Sequence, residues 1–320
     1  MSKINLISLI FTILILFSYV HSDEVEISHE VTRLIIDSQM ESPPKDLYKV
    51  WHFVHRKAYD YNTEEGIKKY KTFKINLDKV KKHNSNKENR YMMGLNDFSD
   101  LTFEEFKLQL KIKEINVDKI DKEIDKFNKE NAKKFNLDDY NEDDETKLNE
   151  VKKVKKESDK MKLALDTPNL TYSSIDWRPK MLGVRNQGSC GSCWAFATMA
   201  MLEGNWWIKH QAIAGSVNEY LSTQQLVDCN SDSNGCDGGW IDNSIEYFFG
   251  KNAVLEKNYP YKAMDGTCKY NGTGKALNIF LYYKATSFDA NYNLLKNGPL
   301  AVYTSVGDEF KNYASGIFFL

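Results

Sequence analysis

Cys193 is the residue in this sequence best placed to do chemistry. It closes the run Gln187-Gly-Ser-Cys190-Gly-Ser-Cys193-Trp-Ala-Phe196, in which a polar, glycine-bearing loop from Gly188 to Ser192 leads straight into an apolar segment. From Cys193 to Ile208 that segment is hydrophobic on nearly every face, which reads as a buried helix. A cysteine in the first turn of such a helix meets unpaired backbone N–H groups and the positive end of the helix dipole, and both favour thiolate over thiol. Gln187, six residues earlier, carries a neutral amide that can fold back beside the sulfur. Together with the backbone N–H of Cys193, it would donate to an oxyanion developing on a carbonyl under attack.

A Cys-x-x-Cys pair also fits a redox dithiol or half of a zinc site. The other cysteines, at 229, 236 and 268, supply no second Cys-x-x-Cys, and no strand-like run leads into Cys190, so neither reading finds its partners. The Gln, Gly, Cys, Gly, Cys and Trp of the run resemble the nucleophile signature of the papain-like cysteine peptidases. The resemblance implies a cysteine endopeptidase, made as a zymogen, in which Cys193 attacks the peptide carbonyl and Gln187 helps bind the oxyanion. It implies peptide or protein substrates, a monomer, no metal and no organic cofactor.

A second stretch, Gly235-Cys-Asp-Gly-Gly239, continues the resemblance. Gly238 and Gly239 carry no side chains, so a substrate backbone could approach and pair with theirs in an extended, strand-like mode. Paired glycines also mark ordinary tight turns. By resemblance, Trp240 and Ile241 would line one wall of the pocket for the substrate residue two before the scissile bond; as plain core residues they would look the same. Five cysteines in a chain entering the secretory route read as two disulfides and one free thiol. The resemblance assigns the pairs as Cys190 with Cys236 and Cys229 with Cys268, leaving Cys193 free.

Other segments must hold this site and silence it. From Leu47 to Asn84 the pattern is helical, with Glu65, Lys69, Phe73, Asn76, Val80 and Asn84 on one face. These positions are similar to the inhibitory prosegment motif of the cathepsin L-like branch, and Trp51, His55, Lys57 and Tyr59 resemble the helix before it. Gly94-Leu-Asn96-Asp-Phe98-Ser-Asp100 matches a second prosegment motif, followed by Leu101-Thr-Phe-Glu-Glu-Phe106. Protonation of Asp97, Asp100, Glu104 and Glu105 near their reference values of about 4 would weaken their native pairs, so acid is expected to release this segment.

The formal net charge of -2 over 320 residues points to neither nucleic acid nor an anionic membrane. Residues 1–22 read as a cleaved signal peptide, with Lys3, an apolar run from Ile4 to Val20 and a Val20-His-Ser22 end; an uncleaved anchor is the alternative. No stable membrane anchor is otherwise expected. The location is then the secretory pathway, ending in a lysosome or vacuole or outside the cell. Residues 23–106 form the expected inhibitory prosegment, and residues 107–171 a charged linker rich in Lys, Glu, Asp and Asn. Residues 172–320 form a truncated papain-like peptidase domain, with Tyr172-Ser-Ser-Ile-Asp-Trp177-Arg178 resembling the start of mature enzymes. Asn169-Leu-Thr171 and Asn271-Gly-Thr273 are glycosylation acceptors on that route.

In the resembled family a His, oriented by a later Asn, completes the site. The histidines here stand at 21, 29, 52, 55, 83 and 210. His210 lies seventeen residues after Cys193, about 25 Å along one helix, and reads as a helix-end residue. Little or no peptidase activity is expected of the chain as it stands, and the alternative to the endopeptidase zymogen is an inert secreted pseudoenzyme or a prosegment-type inhibitor of related peptidases. The expected fold is papain-like α+β, a helical half plus an incomplete antiparallel β-barrel half ending in an unpaired apolar strand at Ile317–Leu320, preceded by a helical prosegment.

Overall fold

The computed structural model describes residues 29–111, 173–210, 218–277, 279, 282–285, 287–304 and 306–318. The signal segment 1–22, Asn169 and most of the charged linker lie outside them. In chain order the helices are α1 (His29–Ser38), α2 (Pro44–Val54), α3 (Glu64–Ser85), α4 (Phe103–Gln109), α5 (Cys193–His210), α6 (Thr223–Cys229), α7 (Ile241–Tyr247) and α8 (Phe288–Leu295). The strands are β1 (Tyr91–Met93), β2 (Asn252–Ala253), β3 (Lys275–Ala276) and β4 (Tyr313–Gly316). Helices with short antiparallel ladders make this an α+β fold. Among the described residues, no helix is long and apolar enough to cross a membrane.

The chain divides into two compact units, one of residues up to Phe106 with 305–320, the other of Lys107–Thr304. In the first, α2 opens on Pro44, whose missing N–H costs nothing in a first turn. Thr63 caps α3, its Oγ1 accepting the Gly66 N–H at 3.2 Å. A reciprocal capping box starts α4: Glu105 N–H donates to Thr102 Oγ1 at 3.1 Å and Thr102 N–H to Glu105 Oε2 at 2.9 Å. The helical stretch read over Leu47–Asn84 is two helices, the first being the preceding helix that Trp51 and its neighbours resemble, although Lys57 and Tyr59 lie in the turn after it. The chain leaves α2 at His55, turns at Arg56 with φ 47°, and re-enters helix at Glu64. The break frees Lys57 and Tyr59 to reach the second motif, where Lys57 Nζ donates to the Asp97 carbonyl at 2.5 Å and Tyr59 Oη to Asp100 Oδ2 at 2.8 Å.

The core of this unit is aromatic. Tyr48 and Phe73 ring centroids lie 5.0 Å apart, Trp51 and Phe73 5.1 Å, and Leu47, Leu77 and Val80 fill the space around them. Burying each of these rings stabilises by about 2 kcal/mol. Polar members of the α3 stripe serve as clasps. Asn84 Nδ2 donates to the Met93 carbonyl at 2.8 Å and its Oδ1 accepts the Met93 N–H at 2.9 Å, which lays β1 against α3. β1 then pairs antiparallel with β4, Tyr91 opposite Gly316 and Met93 opposite Tyr313, with an irregularity between Met92 and Met93. The unpaired strand expected at Ile317–Leu320 is corrected for its described part: the strand lies earlier, at Tyr313–Gly316, and is paired, and the Ile317 N–H donates to the Arg90 carbonyl at 3.0 Å, while Phe319 and Leu320 lie outside the described residues.

In the second unit α5 packs against α6 and α7 over a core of Trp194, Ala195, Met199, Leu202, Leu226 and Phe248. β2 and β3 pair antiparallel, Asn252 opposite Ala276. Residues 300–304 pair in no ladder. α5 itself is buried along a stripe rather than all round: Trp194, Thr198, Met199 and Glu203 are inside, Asn205 is outside, and the thiol-bearing first residue is exposed.

Candidate active site

The loop before α5 is fixed by its glycines and by one disulfide. A Cβ at Gly191 would lie 2.6 Å from the Cys236 carbonyl oxygen, to which the Gly191 N–H donates at 2.8 Å. Cys190 and Cys236 are bonded, as are Cys229 and Cys268, and Cys193 is the free cysteine. Ser192 ends the loop, its carbonyl accepting the Ala195 and Phe196 N–H groups at 2.9 and 3.1 Å and so starting the helix under Cys193.

Cys193 is thus the first residue of α5, with its side chain at the surface. Neighbouring atoms still crowd the inner side of the sulfur. That desolvation pushes the thiol above its ordinary value, against the backbone N–H groups of Trp194 and of Cys193 itself, which pull it down. The helix start acts in the direction read from the sequence, but it does not outweigh burial. Gln187 is also arranged differently from expectation: its Nε2 donates to the Cys190 carbonyl at 2.8 Å. This bond holds the amide on the loop that carries the nucleophile.

Tyr261 braces that loop. Its Oη donates to the Gln187 carbonyl at 2.8 Å and lies 2.5 Å from Ser192 Oγ, tying both ends of the Gln187–Ser192 turn to one phenol. The Tyr259-Pro-Tyr261 run was visible in the sequence, but its bracing role was not, because the two bonds span 74 and 69 residues.

The glycine pair serves packing as well as access. Gly238 has φ 108° and ψ 168°, a conformation only glycine adopts freely. A Cβ at Gly239 would sit 2.6 Å from the Trp194 ring, whose Nε1 donates to the Gly235 carbonyl at 3.1 Å. Trp240 is partly exposed at 41% and meets Tyr303 edge-on at 5.7 Å. Ile241 is buried at the start of α7, its N–H donating to Tyr303 Oη at 2.5 Å. Tyr303 therefore backs both Trp240 and Ile241, and nothing in its local sequence announced that. Asn271, exposed, accepts the Thr273 N–H at 3.1 Å in a local turn.

Behind the nucleophile lies a carboxylate that sequence reading passed over. Glu203, nearly three turns along α5 and 3% exposed, accepts from Arg185 Nη2 at 3.0 Å and from the Leu221 N–H at 2.7 Å. Burial pushes its carboxyl up to about 7, with Arg185 and the Leu221 N–H opposing and Glu256 adding to the rise. Arg185 stands two residues before Gln187 and also donates to the Leu221 carbonyl and Thr223 Oγ1, both at 3.1 Å. The pair thus joins the chain just before Gln187 to the interior of α5.

His210 lies at the last residue of α5, stacked on Trp206 at 4.3 Å, with Nδ1 2.7 Å from the Trp206 carbonyl. It is a helix-end residue far from the sulfur. His52, His55 and His83 belong to the other unit, and His21 and His29 carry no described side chain. One further strand of chain does approach the loop: Lys111, at φ 50°, would meet a Gly191 Cβ at 3.0 Å, and its Nζ pairs with Asp237 at 2.5 Å.

A free cysteine opening a buried helix, a glutamine on the preceding loop and a disulfide at the rim define a papain-type site. Residues 171–319 match the family described as papain family cysteine protease, and residues 48–106 the cathepsin propeptide inhibitor domain. Caricain of Carica papaya is 33% identical over 278 residues, 85% of this chain and 68% of caricain. Cysteine proteinase 5 of Dictyostelium discoideum is 28% identical over 281 residues, 86% of this chain and 68% of that protein. Among solved structures, recombinant stem bromelain precursor superposes with a TM-score of 0.62 at 26% identity, covering 87% of this chain and 77% of the other. The digestive procathepsin L 3 of Tenebrio molitor larval midgut shares the fold, with a TM-score of 0.61 at 22% identity over 87% of this chain and 79% of that one. The chain belongs to the papain family of cysteine proteases and carries a cathepsin-type propeptide inhibitor domain.

Proposed function

We propose that the chain is the zymogen of a papain-family cysteine endopeptidase of the secretory route, destined for a lysosome or vacuole or for secretion, with Cys193 as nucleophile. The observation that carries this is the free thiol at the first residue of α5, reached through the Gln187–Ser192 loop while the other four cysteines are paired. Attack by the Cys193 sulfur on a peptide carbonyl forms a C–S bond and places negative charge on the carbonyl oxygen. The Cys193 N–H and the Gln187 amide, turned away from the Cys190 carbonyl, would donate to that oxygen. Gly238 and Gly239 present backbone to an extended substrate, with Trp240 and Ile241 beside the pocket for the residue two before the cut. Residues 23–106 act as the intramolecular inhibitor, 107–171 as the linker cut on activation, and Asn169 and Asn271 as glycan acceptors.

A second reading, an inert pseudoenzyme or a prosegment-type inhibitor, is favoured by two observations: the Cys193 thiol is held above its ordinary value, and His210 is turned into its own helix. Acyl transfer needs a group that takes the thiol proton and returns it to the leaving amine, and no described imidazole faces the sulfur. Alkylation of the full chain by iodoacetamide, followed from pH 5 to 10 with the site mapped by mass spectrometry, separates the readings. One label per chain on Cys193, rising through a single ionisation above the usual thiol range, is the outcome the inert reading predicts. A rate already high at pH 5 to 6 would show an ion pair with an imidazole and overturn the inert reading. Label elsewhere than Cys193 would overturn the assignment of the nucleophile.

A further inference from the structure

Lys311 is a lysine in the wrong place for a surface residue. Its side chain is 1% exposed, and its Nζ donates to Asn76 Oδ1 at 3.0 Å and to the Leu101 carbonyl at 2.6 Å. Asp308 Oδ1 lies 3.9 Å away, and Asp100 and Glu105 add their field from the propeptide side, while Lys79 opposes it. The receiving groups are held independently of the lysine. Asn76 Nδ2 donates to the Ser99 and Leu101 carbonyls at 2.8 and 3.1 Å, which aims its Oδ1 outward, and the same loop grips the Lys311 main chain, Asn96 Nδ2 donating to the Lys311 carbonyl at 2.7 Å.

The neighbouring residue points the same way. Asn312 is wholly buried, and among the described residues neither atom of its carboxamide has a hydrogen-bond partner. Two consecutive polar side chains inside a packed interface are costly if that interface is permanent, since an unmade buried hydrogen bond alone costs about 1–3 kcal/mol. They are cheap if the surface carrying them is wet in a second state. Lys311 and Asn312 lie in the stretch that matches the protease, Asn76 and Leu101 in the stretch that matches the propeptide inhibitor. Cleavage between the two would provide that state.

We propose that Asn76 Oδ1 and the Leu101 carbonyl form an ammonium socket by which the propeptide, once cut from the chain, selects papain-family partners bearing a lysine at the position of Lys311, a second copy of this chain's own protease segment first among them. A partner with an uncharged side chain there leaves two aimed oxygens unpaired, and one with a carboxylate adds repulsion from those oxygens and from Asp100. The selection rests on the zymogen reading above.

The test uses the full chain with a specific protease site placed within 112–172, nicked and kept at neutral pH. Loss of the propeptide fragment is followed by size-exclusion chromatography and mass spectrometry. Lys311→Met is expected to release it about tenfold faster than the parent, and Lys311→Glu at least a hundredfold faster. Asn76→Leu, which leaves the protease segment untouched but also removes the two Nδ2 bonds to Ser99 and Leu101, should release the fragment at least as fast as Lys311→Met and keeps the test informative if a substitution at 311 disturbs folding. When nicked parent and nicked Lys311→Glu chains share a limiting amount of propeptide, it should partition to the lysine chain. Equal retention by parent and variants, or equal partition, overturns the socket while leaving the zymogen reading intact. Retention by Lys311→Met alone, with loss only in Lys311→Glu, overturns it too, since the aliphatic stem would then suffice. If the nicked parent itself keeps no propeptide, the zymogen reading falls and the socket with it.

Discussion

The thiol-bearing unit and the propeptide unit are held together by different bonds. Residues 173–304 contain all five cysteines, are cross-linked twice and bury Glu203 against Arg185. Residues 29–106 with 306–318 contain no cysteine and rest on an aromatic core rimmed by carboxylate pairs: His55 with Asp97 at 2.5 Å, Lys57 with Asp100 at 3.5 Å and Lys69 with Glu105 at 3.4 Å. The same fall in pH acts on them in opposite directions. Glu203 has a raised folded value, so the folded state holds more protons than the unfolded one between about 4.5 and about 7, and acidification through that window stabilises its unit. Glu105 has a lowered value: burial alone would raise it, but the Thr102 N–H, Lys69 and Lys68 outweigh that. Its contribution is present above the ordinary carboxylate range and is lost as pH falls through its lowered value. These opposed shifts predict that acid loosens the propeptide while it tightens the helix that carries Cys193.

The largest way to break this contrast is reduction. Disulfides separated by 46 and 39 residues each contribute about 4 kcal/mol on chain-entropy grounds, so a strong reductant should unfold the thiol-bearing unit first and leave amide protection in α3 unchanged. Equal loss in both units would show that the propeptide core depends on its neighbour. Next comes Glu203→Ala, which takes the nearest carboxylate from the half-buried Arg185, leaves it Glu256 at 3.7 Å, and unpairs the Leu221 N–H. A loss of about 1–3 kcal/mol confined to 173–304 is expected by segment-resolved hydrogen exchange, together with disappearance of the gain on acidification. Glu105→Ala is the smallest change. Removing half of the capping box should cost about 1 kcal/mol in α4 and reduce the acid sensitivity of the propeptide, read by the pH midpoint of its unfolding.

What the sequence revealed and what it hid follow from distance along the chain. The Gln187–Phe196 run and the Asn96–Asp100 loop are local: glycine conformations, a capping pattern and a short turn force them, and each can be read within about ten residues. The helical face of Phe73, Asn76 and Val80 follows from periodicity, although periodicity alone missed the break at Arg56, whose cause is the reach of Lys57 and Tyr59 to residues some 40 positions away. Glu203 and Arg185 meet across 18 residues and Lys311 and Asn76 across 235, and neither pair leaves a periodic trace. The thiol of Cys193 was read from its helix terminus alone, because the desolvation that opposes it comes from packing.

The most direct test of the opposed response is amide hydrogen exchange of the full chain at pH 7.5, 5.5 and 3.5, corrected for intrinsic rates and resolved by segment. Protection in α3 should hold from 7.5 to 5.5 and fall by 3.5, while protection in α5 rises between 7.5 and 5.5. A parallel loss in both helices, or a loss in α5 that precedes the one in α3, would contradict it.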